Sequence, residues 1–137
     1  MPGTGTTEEG LVVDASAIVD LLCGTGYAGA VAERLGAQRL IAPAHLDAEV
    51  LSAVGRLQRS GELTERLAAE RLELLGGSPI DRRPLAPLLV GAWRRRHNLR
   101  LVDALYVELA AQLGGAPLIT TDAGMASACS SAELIGG

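Results

Sequence analysis

The chain has 137 residues, 48% of them hydrophobic and 20% charged, with a formal net charge of −4. That length supports one buried core but not two ordinary domains, and the hydrophobic share excludes a disordered chain. The acidic balance excludes broad adhesion to nucleic acid, which needs a basic face, so any such contact must be local.

The start, MPGTGTTEEG, is polar and acidic, unlike a signal peptide, and no later apolar run approaches the roughly 20 residues that span a bilayer. A cytoplasmic protein with no membrane association is expected, with residues 1–10 as a flexible tail and 11–137 as a single domain. Leu11 to Val13 is read as a short buried strand ending at Asp14, and Ala15 to Cys23 continues at helical spacing. Tyr27 to Leu35 forms a second helix stopped at Gly36, and Leu40 to Ala42 a second strand. Pro43 suits the first turn of a third helix, whose apolar stripe runs Leu46, Val50, Ala53, Val54, Leu57, with Glu49 at its margin.

Leu63 to Leu75 is a charged amphipathic helix with Thr64 as its candidate cap. Ser78 to Arg82 is a weakly signalled strand, and Pro84 to His97 a helix with an arginine-rich end. Val102 to Leu113 is another helix, with Asp103 in its first turn. Pro117 to Thr120 is a buried strand delivering Asp122, and Glu133 to Ile135 is a last strand. Strands alternating with helices predict a three-layer α/β/α sandwich around a short, mainly parallel sheet.

In an open parallel sheet, ligands bind beyond the carboxyl ends of the strands, and two predicted strands end in aspartate, Asp14 and Asp122. A single aspartate there is more often only a helix cap. Glu49 and Asp103, at the edges of apolar helix faces, change that weighing, although a surface ion pair is the bland reading of either. Four oxygen donors without a Cys or His partner suit a hard cation, Mg²⁺ or Mn²⁺. Such an ion can polarise a phosphodiester and activate water. The 12 basic residues are all arginine, which removes phosphoacceptor and phosphatase schemes that rely on lysine. Cys23 and Cys129 lie outside any Cys-x-x-Cys spacing and indicate neither zinc nor a disulfide framework. Gly24-Thr25-Gly26-Tyr27-Ala28-Gly29 spells a dinucleotide fingerprint but follows a helix rather than a strand.

The segments VVDASAIVDLL, PAHLDAEVLSAV and LVDALYVELAAQLGGAPLITTDAGMA resemble, in order and spacing, those that carry the acids of PIN domains in VapC-type toxins. The resemblance covers nearly the whole chain from Leu11 onward. Carried over residue by residue, it implies Asp14, Glu49, Asp103 and Asp122 as catalytic, metal-holding carboxylates, supported by the hydroxyls of Ser16 and Thr120. It further implies an endoribonuclease acting on RNA such as transfer or ribosomal RNA, a cognate VapB-like antitoxin and a homodimer. A noncatalytic PIN-like binding module is the alternative. Asp20 and Asp47 do not match the pattern and read as solvated helix residues. Arg100 stands where a serine or threonine cap is common, and with Arg94, Arg95 and Arg96 it is a candidate RNA-phosphate contact. Four carboxylates converging without a cation should repel one another, so Asp103→Asn is expected to stabilise the metal-free protein.

Overall fold

The computed structural model describes residues 10–136; residues 1–9, most of the expected flexible tail, lie outside the described residues. Five short strands form one sheet: β1 (Leu11–Val13), β2 (Leu40–Pro43), β3 (Asp81–Arg83), β4 (Leu118–Thr120) and β5 (Ala132–Leu134). Their order is β3-β2-β1-β4-β5 and every neighbouring pair is parallel. The strands β1 and β4 are apolar along their whole length, apart from Thr120, and buried throughout, as strands covered on both faces must be.

The helices are α1 (Ala15–Cys23), α2 (Ala28–Leu35), α3 (Leu46–Arg59), α4 (Glu65–Gly76), α5 (Leu89–Arg94), α6 (Leu101–Gln112) and α7 (Ala123–Ser127). Helices α1 to α4 pack among themselves, α5 packs on α6, and α6 lies across β1, β2 and β4, completing the α/β/α sandwich. The placement of α6 follows from its sequence. It buries Ala104, Leu105, Tyr106, Val107, Leu109 and Ala110, an apolar surface wider than a single stripe, as expected of a helix enclosed on several sides. Gly24 ends α1 at φ 66°, in the left-handed region that glycine enters without penalty. No single helix among the described residues is long and apolar enough to cross a membrane.

Several boundaries differ from the sequence reading. Pro43 belongs to β2, paired with Arg83, and α3 begins only at Leu46; lacking an N–H, proline fits a strand end as well as a helix start. The span 84–97 is not one helix but a 3₁₀ turn at Ala86–Leu88 followed by the short α5. Strand β3 occupies Asp81–Arg83, where Asp81 accepts from Arg39 and Arg83, and these guanidinium groups hold its carboxyl below the usual range. Strand β5 is tied to α2 by a two-pronged pair from Arg34 to Glu133, at 2.7 and 2.9 Å.

Candidate active site

The chain steps from β1 through β2 to β3 on one side and returns to β4 on the other, so the connections diverge between the C-terminal ends of β1 and β4. A parallel sheet opens a crevice at such a switch point. Asp14 directly follows β1, and Asp122 lies two residues beyond the end of β4.

Asp14 caps α1 and is only 3% exposed. Its Oδ1 accepts from the Ser16 hydroxyl at 2.7 Å and the Ala17 N–H at 3.0 Å, and its Oδ2 accepts from the fully buried Thr120 hydroxyl at 2.5 Å. Thr120 Oγ1 in turn accepts from the Asp122 N–H at 2.9 Å, and Ser16 Oγ accepts from the Thr121 N–H at 3.1 Å. The two hydroxyls thus stitch the end of β1 to the turn after β4. Burial pushes the Asp14 carboxyl above its ordinary range; the three hydrogen bonds oppose this and the charge of Asp122 adds to it. Asp122 itself is exposed and caps α7, with Oδ1 accepting from the N–H groups of Gly124 and Met125 at 2.8 and 3.3 Å.

Glu49 and Asp103 reach the same crevice from helix starts. The first turn of α3 carries Glu49, whose Oε1 accepts from the Tyr106 hydroxyl at 2.6 Å and lies 3.5 Å from His45 Nε2. Burial and the negative charge of Glu49 drive the Tyr106 phenol far above its usual range, so it stays a proton donor. His45 Nε2 lies 2.8 Å from the Val102 carbonyl, and the ring stacks obliquely on Tyr106 at 4.7 Å, leaving Nδ1 buried without a partner among the described residues. In the first turn of α6, Asp103 accepts two bonds from Arg100, from Nε at 2.9 Å and Nη2 at 3.2 Å.

A cleft of about 450 Å³ joins these groups, with Asp14, Glu49 and Asp103 in its lining together with His45, Arg100 and Tyr106. Asp122 is not in the lining but stands near enough for its charge to act on Asp14 and on Arg100. Among the described residues, no three His, Cys, Asp or Glu side chains are gathered tightly enough to hold a metal ion as they stand. The expected convergence of four carboxylates is replaced by acids sharing one crevice while each is held by its own partner. The donor set is nonetheless oxygen-rich and suits a hard cation, and Asp14, whose ionised form burial disfavours, would gain from one.

Arg94, Arg95 and Arg96 do not line the cleft. Arg95 pairs with Glu108 at 3.1 Å, and Arg96 stacks on the exposed ring of Trp93 at 4.5 Å. Asp47 is not simply solvated but takes a multidentate pair from Arg82, and Asp20 accepts from Thr25 and Tyr27 to close the α1–α2 turn. The sequence reading gave Tyr106 no role beyond its place in the helix from Val102 to Leu113. Its polar tip was the available signal, since a buried phenol needs an acceptor. Ser52 and Arg56, also in the lining, carried no signal beyond their spacing from Glu49.

The PIN domain family model matches residues 11–130. Ribonuclease VapC3 of Mycobacterium tuberculosis is 54% identical over 129 residues, covering 93% of each chain. Ribonuclease VapC1 of the same species is 41% identical over 119 residues, covering 85% of this chain and 89% of the relative. Among solved structures, PAE2754 from Pyrobaculum aerophilum superposes with a TM-score of 0.66 at 24% identity, covering 94% of this chain and 85% of that one. M. tuberculosis VapC20, described as a sarcin–ricin loop cleaving toxin, gives 0.68 at 17% identity, covering 86% of this chain and 94% of its own. These last two bear on the fold alone. By family model and by identity, the chain belongs to the PIN-domain family and, within it, to the VapC ribonucleases.

Proposed function

We propose that this protein is a Mg²⁺- or Mn²⁺-dependent endoribonuclease, the toxin of a type II toxin–antitoxin pair. The observation that carries this reading is the meeting of Asp14, Glu49 and Asp103 in one crevice at the β1/β4 switch point, with Asp122 beside it. The ribonuclease names of the VapC relatives support it. Asp14, Glu49, Asp103 and Asp122 would hold the cation. When bound, it would activate water and polarise the scissile phosphate, offsetting the repulsion between acids and phosphodiester.

The chain's own part is positioning. Ser16 and Thr120 fix both oxygens of Asp14 from neutral donors, so the carboxylate keeps its direction without being neutralised. Tyr106 and His45 hold Glu49 against the wall of the cleft. Arg100, the one arginine of the sequence reading that lines the cleft, is placed to meet a phosphate once Asp103 is engaged elsewhere.

In this reading the targets are structured cellular RNAs such as transfer or ribosomal RNA, the active form is a homodimer, and a VapB-like antitoxin inhibits by lodging a basic side chain among the acids. Cleavage of RNA by the purified protein should require Mg²⁺ or Mn²⁺, stop with chelator, and be lost in Asp14→Asn and Asp122→Asn. Equal cleavage in excess EDTA would overturn the metal assignment, and no cleavage with either ion would favour a noncatalytic module. Induced expression without antitoxin should slow growth in wild type but not in Asp14→Asn. Equal growth of the two would remove the toxin role.

A further inference from the structure

The cleft changes chemical character along α3. Beyond Glu49 its wall continues through Ser52 and Arg56. These positions recur at helical spacing and share one face, and the seven residue steps from Glu49 to Arg56 cover about 10 Å of helix axis. An acidic crevice therefore has a cation at one end.

Arg56 differs in its commitments from the arginines that are held in ion pairs. Arg34, Arg66, Arg82, Arg95 and Arg100 are paired with carboxylates. The guanidinium of Arg56 has no carboxylate partner among the described residues; its Nη1 donates to the Ser52 hydroxyl at 3.1 Å, one turn back on the same helix. A neutral partner orients the planar fork without cancelling its charge. Arg59, Arg71, Arg94 and Arg96 likewise have no ion pair among the described residues, but none of them lines the cleft. An exposed arginine by itself is ordinarily a solvated charge. This one shares a cleft with three acids, in a protein of net negative charge whose polyanionic substrate presents phosphates on both sides of the scissile bond.

We propose that Arg56, oriented by Ser52, forms a phosphate subsite for an RNA phosphodiester about one or two nucleotides from the bond that is cut, so that the substrate strand runs along α3 away from the acids. The inference rests on the ribonuclease reading and deepens it by fixing the path of the substrate. A guanidinium suits this task because its donors form a flat fork that chelates two phosphate oxygens, which a point charge cannot do. A single such contact contributes affinity and register rather than chemistry, because it acts equally on bound substrate and transition state.

The test uses an RNA oligonucleotide that the wild type cleaves in Mg²⁺, and compares Arg56→Gln, Arg56→Lys and Arg59→Gln across a range of salt. Arg59→Gln makes the same charge change on the same helix but off the cleft. Arg56→Gln should raise KM about 5- to 10-fold with kcat within about twofold, and should flatten the log–log dependence of binding on salt by about 0.7 to 1. Arg56→Lys should recover part of the loss, and Arg59→Gln should move neither quantity. Replacing one flanking phosphodiester by a neutral methylphosphonate should reproduce the loss in wild type and add nothing in Arg56→Gln. Equal behaviour of Arg56→Gln and Arg59→Gln, or full additivity with every methylphosphonate position, would overturn the subsite. Should the wild type cleave no RNA at all, the nuclease reading fails instead. Fluorescence anisotropy with a labelled single-stranded RNA oligonucleotide then still decides the subsite, because equal affinities of the two Gln variants would remove it.

Discussion

Asp14 and Asp103 face the same cleft but are held in opposite ways. Asp14 sits at the floor, 3% exposed, fixed by a backbone N–H and two hydroxyls that are themselves fixed by β4 and the turn after it. Asp103 sits nearer the rim, its own side chain 15% exposed and paired with Arg100, whose side chain is 74% exposed. On the floor the partners of the carboxylate are neutral and tied to the sheet. At the rim the partner is charged, open to solvent and local to one helix turn. A carboxylate on the floor therefore has one direction available to it, whereas the carboxylate on the rim can exchange its partner, since its guanidinium partner stands mostly in solvent, where the pair is screened and an incoming cation or phosphate can compete for either member.

The comparison predicts unequal effects of mutation. Asp14→Asn should abolish metal-dependent RNA cleavage by about two to three orders of magnitude, the range expected when a preorganised charge at the reacting centre is removed; single-turnover assays read this directly. Next in size are the supporting residues. Thr120→Val keeps the shape but deprives the buried Asp14 Oδ2 of its donor, and should cost about 1–3 kcal/mol in urea unfolding. Arg100→Gln should stay within about 0.5 kcal/mol, as a pair screened by solvent on its arginine side does. Comparable losses in the two variants would erase the distinction between floor and rim. Smaller still is the effect of the rim on the cation: with the guanidinium removed from Asp103, apparent Mn²⁺ affinity should rise about two- to fivefold, the Coulomb gain of one screened charge. A Mn²⁺ titration of the melting temperature checks it, and weaker binding in Arg100→Gln would mean that the arginine organises the acids instead of competing for them.

The same contrast explains what the sequence made legible. Strand β1, strand β4 and the acids that follow them were readable because a buried parallel strand is an uninterrupted apolar run, and the first polar residue after it marks the sheet's carboxyl edge. The spans of α1, α2, α4 and α6 followed from apolar periodicity, and Thr64 does cap α4, accepting from the Leu67 N–H at 3.1 Å. What failed was set by tertiary partners. The break at 95–99 leaves the apolar pattern of α5 unaltered, and Gly91 lies where a Cβ would stand 2.1 Å from the Glu108 carboxyl carbon, so this helix is shaped by a neighbour distant in sequence. The sequence offered Arg94, Arg95, Arg96 and Arg100 alike as phosphate contacts and gave no signal for Arg56. Only the fold separates Arg56 and Arg100, which line the cleft with Asp14, from the arginines on α5 and the turn after it.

The smallest expected effect concerns pH, and it moves an expectation from Asp103 to Asp14. Repulsion among the acids pointed to Asp103→Asn as the stabilising change, but Asp103 is ion-paired, so asparagine there forfeits a partner. The penalty instead falls on Asp14, whose ionised form is disfavoured by burial and by Asp122. A carboxyl whose folded-state pKa is raised binds more protons folded than unfolded between the two pKa values, so its contribution to stability is greatest below the ordinary value of 3.8 and falls as pH rises through the higher folded value. Asparagine at position 14 can keep the two bonds to Oδ1 and donate from Nδ2 to the Thr120 hydroxyl, without any charge to desolvate. In chelator at pH 7, Asp14→Asn should therefore unfold at or above the wild-type midpoint, by about 1 kcal/mol or less after the rearranged hydrogen bonds are counted. The gap should narrow as pH falls toward the ordinary carboxylate range, because the raised folded pKa lets wild-type Asp14 take up its proton before an ordinary carboxyl would. The carboxyls held low by arginines, Asp81 and Glu133, lose stability over the same range but are present in both proteins and cancel. Paired urea melts at pH 4 and pH 7 measure the difference. A variant less stable than wild type at pH 7, with the deficit shrinking on acidification, would mean that the three hydrogen bonds outweigh burial and that Asp14 is folded best as an anion.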